Sequence, residues 1–168
     1  MEALLRERDW AAQAALQAQA IRVYADPPPR AAAFLIDMAL LALTALICFV
    51  AGIGLVSREM LTGPQGLSAQ VVRLMVVPYA LLLLVFMLGY FTYFHGTSGQ
   101  TLGKILLGLR VVRAHGDPLG LDLAFLRAVG YLLSALLLGG GFLWALFDTD
   151  HQGLHDKLAG SYVVRTRG

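Results

Sequence analysis

The sequence predicts an all-α integral membrane protein with three apolar membrane segments and a small interfacial β-hairpin. Of its 168 residues, 58% are hydrophobic and only 14% are charged, which is far more apolar than a soluble domain of this length. The hydrophobic residues also fall into long runs, which are typical of membrane spans rather than of a large soluble core. We therefore expect the chain to lie in a lipid bilayer.

The first apolar run, residues 30–56, carries one carboxylate, Asp37, within it. At about 1.5 Å per residue the run reaches roughly 40 Å as a helix, enough to cross a hydrocarbon core of about 30 Å. A carboxylate inside the bilayer costs a few kcal/mol and needs a partner in the protein or in a hydrated cavity. Arg30 lies two helical turns away, too far for a direct ion pair. Another part of the chain, or a second copy, is expected to answer Asp37 with a cation.

Residues 1–29 are predicted to form a separate helical arm and linker, and residues 30–168 the membrane domain. The arm, residues 1–22, lacks Gly and Pro and either lies along the headgroups or docks another protein. Pro27, Pro28 and Pro29 predict a stiff extended link that ends at the first span. The charged beginning lacks a cleavable secretory signal, so the first span is expected to act as an uncleaved insertion signal.

Two further apolar runs follow, at residues 74–94 and 121–147. The second run has no charged residue and is long enough to cross. The third contains Gly139, Gly140 and Gly141, which allow either close helix packing or a break that makes the segment re-entrant. Three full crossings are the preferred topology. They conflict, however, with the positive-inside rule, because the amino terminus is predicted to be cytoplasmic and Lys157 and Arg165 would then lie outside.

The polar stretch at residues 95–121 separates the second and third runs. Residues 99–107 predict a short interfacial helix with Lys104 at the headgroups, and residues 106–114 predict a strand that forms a hairpin with residues 118–121. A re-entrant third segment would instead allow residues 161–166 to pair with that strand. Cys48, the only cysteine, is expected to be a buried and inert thiol.

Four segments stand out in order along the chain: RAAAFLID, GTSGQTLGKILLGLRVVRAHGDPLG, LRAVGYLL and LWALFDTDHQGLHDKLAGSYVVR. Together they resemble the motifs of the RDD family of prokaryotic membrane proteins, which is named for one arginine and two aspartates. Position by position, the resemblance implies that the arginine is Arg30 and the aspartates are Asp37 and Asp156. It implies a multi-pass protein of the prokaryotic cytoplasmic (inner) membrane, and ion or proton-coupled exchange for some members.

Arg30, Asp37, Arg127 and Asp156 are the candidate functional residues, predicted to form an ion-pair cluster of mixed sign at one membrane face. One hypothesis is a structural or partner-binding membrane module, assembled as a homo-oligomer or with another membrane protein. The alternative is a cation/proton exchange transporter in which Asp37 titrates, because desolvation raises a carboxyl pKa toward working pH.

Several function classes are not expected. The net charge of +2 comes without a basic block, so nucleic acid is not an expected partner. No nucleophile is spaced with a base and an orienting acid, so the chain is not expected to be an enzyme, and no cofactor is expected. His151 and His155 have the four-residue spacing of metal ligands on a helix, but Gly153 between them weakens that helix, so no metal is expected.

Overall fold

The structure is a computed structural model, and it describes residues 24–55, 69–114 and 116–166. The predicted helical arm, residues 1–22, and most of the first loop lie outside the described residues. In chain order the elements are α1 (Pro27–Leu55), α2 (Ala69–Thr97), α3 (Leu102–Leu106), β1 (Leu109–Arg113), α4 (Leu121–Leu136), α5 (Gly140–Leu143), a 3₁₀ turn (Trp144–Leu146), α6 (Leu154–Leu158) and β2 (Ser161–Arg165).

The two predicted spans are confirmed as single long helices. The parts of α1 and α2 that are long and apolar enough to cross a membrane run from Pro27 to Gly52 and from Val76 to Thr97. Both helices leave large apolar side chains exposed along their outer faces, among them Ile47 on α1 and Val85 on α2. An apolar helix surface of this kind is stable only against lipid or another apolar surface.

The three prolines begin α1 and do not form the extended link that the sequence suggested. The helix starts at Pro27, so Pro28 and Pro29 occupy its first turn. The first N–H groups of a helix have no intrahelical partner, and a proline there therefore sacrifices no hydrogen bond. Cys48 also differs from expectation, because it is exposed on the outer face of α1 rather than buried.

The third apolar segment is broken. It comprises α4 followed by α5 and the 3₁₀ turn, and the two parts are bent by 112° relative to each other. Leu138 and Gly139 make the break, with φ angles of 52° and 85° in the left-handed region. Gly139 adopts this conformation without strain, since it has no Cβ atom. The exposed tip at Leu138 separates two helical pieces, each too short to cross alone.

The predicted two-stranded antiparallel sheet is present, but its second strand is not residues 118–121. Instead β1 pairs with β2, with Leu109 opposite Arg165 and Arg113 opposite Ser161. Tyr24, before α1, adds a bridge to Val164. Because β1 precedes the third segment and β2 follows it, both ends of that segment lie at one end of the long helices. This geometry favours the re-entrant alternative over the three full crossings preferred from the sequence.

Two buried apolar clusters hold these elements together. The first lies between the sheet, α1 and α4, and it includes Ala33, Val111, Ala124 and Val163. The second lies where α1, α2, α4 and α5 meet, and half of its members are aromatic. Its members are Phe91, Ala128 and Tyr131, with Phe34, Met38, Leu41, Met87, Leu88, Tyr90 and Phe142 packed around them.

Candidate functional site

Asp37 is fully buried and accepts three hydrogen bonds, which together form what we call the Asp37 site. Its Oδ1 atom accepts from the Tyr90 hydroxyl at 2.8 Å and from the Gly103 N–H at 2.8 Å, and its Oδ2 atom accepts from the Thr101 hydroxyl at 2.5 Å. The donors come from α2, α3 and the residue that precedes α3. The carboxylate therefore joins three segments through hydrogen bonds of the strong, charge-assisted kind.

Gly103 permits this arrangement because it has no side chain. A Cβ atom at this position would lie 2.1 Å from the Ala33 carbonyl oxygen and 3.1 Å from the Asp37 carboxyl carbon. Thr101 supports the same turn, since it is the N-cap of α3 and its hydroxyl accepts from the Lys104 N–H. The backbone of α3 thus lies directly against α1 at the carboxylate.

Asp156 lies between two arginines, and we call this group the Asp156 site. Its carboxylate is buried and forms an ion pair with Arg127, which also donates to the Ser161 hydroxyl. Arg30 approaches from α1, with its Nη1 atom 3.5 Å from Asp156 Oδ2, and donates to the His151 carbonyl. The site therefore links α1, α4, α6 and the start of β2.

The electrostatics of the Asp156 site keep its acid charged and its histidine neutral. Burial alone would raise the pKa of Asp156, but the adjacent positive charge of Arg127 holds it well below the usual range. Burial lowers the pKa of His155 to about 3, with the charge of Asp156 only partly opposing the shift. His155 packs against the Tyr131 ring, with ring centroids 4.5 Å apart, as a neutral aromatic group.

Lys104 is buried and does not lie at the headgroups as the sequence suggested. Its Nζ atom is 3.2 Å from His95 Nε2. Burial lowers the pKa of Lys104 to about 7, and the charge of Arg127 adds to the shift. The five-residue helix α3 turns this side chain inward because Gly103 packs against α1. Lys104 is thus a buried base between the two sites.

The structure brings together three of the four candidate residues. Arg30, Arg127 and Asp156 are in contact, whereas Asp37 makes no ion pair with the described part of the chain. The carboxylate accepts hydrogen bonds from neutral donors and is not paired with a cation. Sequence reasoning missed those donors, although two of them lie in the GTSGQTLGK motif that carried the family resemblance. A signal was present there: a threonine and a glycine two residues apart at the start of a short helix.

His151 and His155 face different surroundings. His151 Nδ1 lies 3.4 Å from the Ala145 carbonyl oxygen, whereas His155 Nε2 lies 3.4 Å from Asp156. Among the residues that the structure describes, no group of three or more His, Cys, Asp or Glu side chains is placed to hold a metal ion.

Comparisons with known proteins give one family. The model of the RDD family matches residues 24–160. A proline-rich antigen homolog of Mycobacterium tuberculosis is 32% identical over 82 residues, which are 48% of this chain and 34% of the relative. Two proteins of Bacillus subtilis also match. YxaI is 32% identical over a region that covers 52% of this chain and 58% of YxaI, and YckC is 30% identical over a region that covers 62% of this chain and 66% of YckC. The chain thus spans about a third of the first relative. No solved structure matches significantly.

Proposed function

The chain belongs to the RDD family of membrane proteins, and we propose that it acts as a structural or partner-binding membrane module. One observation carries this proposal: the buried carboxylate of Asp37 is occupied by three donors from within the chain. A carboxylate with three of its roughly four acceptor positions filled by fixed neutral donors ties helices together. A transport site, by contrast, needs room for an ion beside the acid.

The Asp156 site supports the same role. A buried ion pair adds little stability compared with an apolar pair of the same size, but removing one of its partners is strongly destabilising. Such pairs therefore serve best to specify one arrangement of helices. Arg30, Arg127 and Asp156 come from α1, α4 and α6. The two ion pairs that Asp156 forms therefore fix the re-entrant segment against the first span. We infer that both sites act as clasps of one fold.

The comparisons support a role as a module. The aligned part of the Mycobacterium tuberculosis relative is 34% of its length, so similar sequence occurs there together with other sequence. The exposed apolar faces of α1 and α2 are suited to lipid and to a second copy or another membrane protein. We propose one of these two protein partners, and the mass of the purified protein in detergent distinguishes a homo-oligomer from a monomer that awaits another chain.

We also propose that the sheet end of the molecule is cytoplasmic, in the inner membrane of a prokaryote, with the amino-terminal side on the same face. With a re-entrant third segment, Lys104, Arg110, Arg113, Lys157 and Arg165 all lie toward one end of the spans, as the positive-inside rule requires of cytoplasmic regions. Single cysteines at Asp26 and Arg165, placed in a Cys48→Ala background, test this. Both should react with impermeant maleimide only in inside-out vesicles, and opposite accessibility of the two would exclude the re-entrant topology.

The alternative function is cation/proton exchange through the membrane. The observation in its favour is Lys104, a buried base whose pKa of about 7 lies in the working range of a proton carrier. Asp37, the titrating site suggested by the sequence, does not line the cavity described below, whereas Lys104 does.

Liposomes containing the purified protein separate the two functions. The module predicts no cation flux driven by a pH gradient, and it predicts that Asp37→Asn lowers the thermal stability because an amide is a weaker acceptor for three donors. Asp26→Asn, an exposed carboxylate, is the control for loss of a charge. Flux in the wild type that Lys104→Met abolishes, with stability unchanged, would replace the module with the exchanger.

A further inference from the structure

A cavity of about 430 Å³ lies between α1, the return of the third segment and α6. Its size is within the usual range for small-molecule sites. Most of its wall is apolar, and Phe34, Leu35, Phe142 and Leu146 form the side next to the spanning helices. The cavity thus has the lining that an acyl chain requires.

The other side of the cavity is charged. Arg30, Lys104, Arg127, His155 and Asp156 line it. Two arginines face a single carboxylate, and Lys104 adds a further base, so positive charge is in excess among the lining residues. This composition disfavours a metal cation and favours an anion.

Arg30 has donors to spare on this charged side. Its Nη1 atom is used by the His151 carbonyl and by Asp156, but its Nε and Nη2 atoms are buried and make no hydrogen bond within the described residues. The side chain is 10% exposed. Together Nε and Nη2 form one edge of the guanidinium group, the fork that binds two oxygens of a carboxylate or a phosphate. Buried donors without a partner are costly, so an oxyanion there would stabilise the protein.

The apolar side of the cavity is continuous with the outer surface of the spans. Leu35 is 66% exposed and Leu146 is 56% exposed, although both line the cavity. A molecule inside the cavity therefore extends naturally along surface that faces the bilayer. Arg30 is the fourth residue of α1, so it lies near one end of the helix segment that could cross a membrane, where basic side chains reach lipid headgroups.

We propose that this cavity binds an anionic phospholipid, with a phosphate oxygen pair at the Nε–Nη2 edge of Arg30 and an acyl chain along Phe34 and Leu146. Basic pockets between membrane helices on the cytoplasmic side are suited to anionic headgroups. A free phosphate would satisfy the arginine but leave the apolar wall empty. A neutral lipid would fill the wall but leave the excess positive charge uncompensated.

Native mass spectrometry of the purified protein in detergent tests the proposal. Phosphatidylglycerol should bind at a saturable site at least ten times more tightly than phosphatidylcholine, and glycerol phosphate should not bind measurably. If glycerol phosphate binds as tightly as phosphatidylglycerol, the site holds a free anion and the lipid proposal is overturned.

Two variants and their matched controls locate the bound lipid. Arg30→Lys keeps the positive charge beside Asp156 but loses the two-donor edge, so phosphatidylglycerol should bind at least tenfold more weakly. The control is Arg110→Lys, at an exposed arginine outside the cavity, which should leave the affinity for phosphatidylglycerol unchanged. Leu146→Trp should exclude the acyl chain, and Leu136→Trp, at an exposed leucine outside the cavity, should not. Unchanged binding to Leu146→Trp would mean that the lipid lies elsewhere, and this test holds even if Arg30→Lys fails to fold.

Discussion

Replacing Gly103 with alanine tests the contact between α1 and α3 on which the Asp37 site depends. The new Cβ atom would lie 2.1 Å from the Ala33 carbonyl oxygen. Carbon and oxygen atoms rest no closer than about 3.3 Å in proteins. Because the neighbour is backbone inside a long helix, α3 must move by about 1 Å. That movement lengthens the 2.8 Å hydrogen bond from the Gly103 N–H to Asp37 beyond the limit of a bond.

The size of the loss follows from two unfavourable contributions and one favourable contribution. A hydrogen bond to a charged acceptor contributes about 1.5–3 kcal/mol, and overpacking of a tight contact costs about 1–3 kcal/mol. Alanine returns about 0.5–1 kcal/mol because it is the better helix former. The net destabilisation is about 2–5 kcal/mol, equivalent to a fall in melting temperature of roughly 5–20 °C for a chain of this length.

Thermal unfolding in detergent, followed by circular dichroism, measures this effect. Gly89→Ala is the matched control, since a Cβ atom there meets nothing within 4 Å and the residue lies on the exposed face of α2. The control should unfold at or slightly above the wild-type temperature. If Gly103→Ala unfolds at the same temperature as Gly89→Ala, the close packing of α3 on α1 is not what holds Asp37.

Three further predictions use the same unfolding assay. Asp156→Asn leaves two buried arginines without a counter-charge and should lower the free energy of unfolding by about 3–5 kcal/mol. Asp26→Asn, in an exposed pair, should lower it by under about 1 kcal/mol, and equal losses would mean that the buried ion pair contributes no more than the exposed one. Gly130→Ala would bring a Cβ atom to 2.7 Å from the backbone of α6 and should cost about 1–3 kcal/mol, and a neutral result would exclude that close approach. Lys104 has a folded pKa of about 7, below its unfolded value, so between about pH 7 and pH 10 the unfolded state binds up to one proton more than the folded state. Stability should therefore rise with pH over that range, by up to about 1.4 kcal/mol per unit. Lys104→Met should flatten that rise, and an unchanged slope would place the titration elsewhere.

The burial of Asp37 could be predicted from the sequence, because one acid within a long apolar run must face protein or water. Its partners could not. Thr101 and Gly103 lie beyond a complete second span, and no local periodicity reports which loop folds back onto α1. The expectation of a cationic partner treated an opposite charge as the only way to satisfy a buried carboxylate, whereas two hydroxyls and a backbone N–H satisfy it here.

Strand β1 and the two alternatives for the third segment could also be predicted from the sequence, since both depend on local composition. The strand that pairs with β1 could not be predicted, because the turn residues that follow β1 are equally compatible with a local hairpin. The tail strand β2 wins because the re-entrant turn at Gly139 returns the chain to the same side, where Val163 enters the buried cluster beside Val111. Lys104 was misplaced because a five-residue helix is too short for its pattern to show which side faces inward.

The pairing of Arg113 with Ser161 also determines when this protein can finish folding during its biosynthesis. Strand β1 is synthesised well before β2. At a translation rate of about 5–20 residues per second, several seconds pass before its partner strand exists. Arg127 is likewise synthesised before Asp156, so the ion pair that joins α4 to α6 forms only after both residues have left the ribosome. An interruption of translation before Asp156 would leave α1, α2 and α4 without the ion pairs that fix the third segment against the first span.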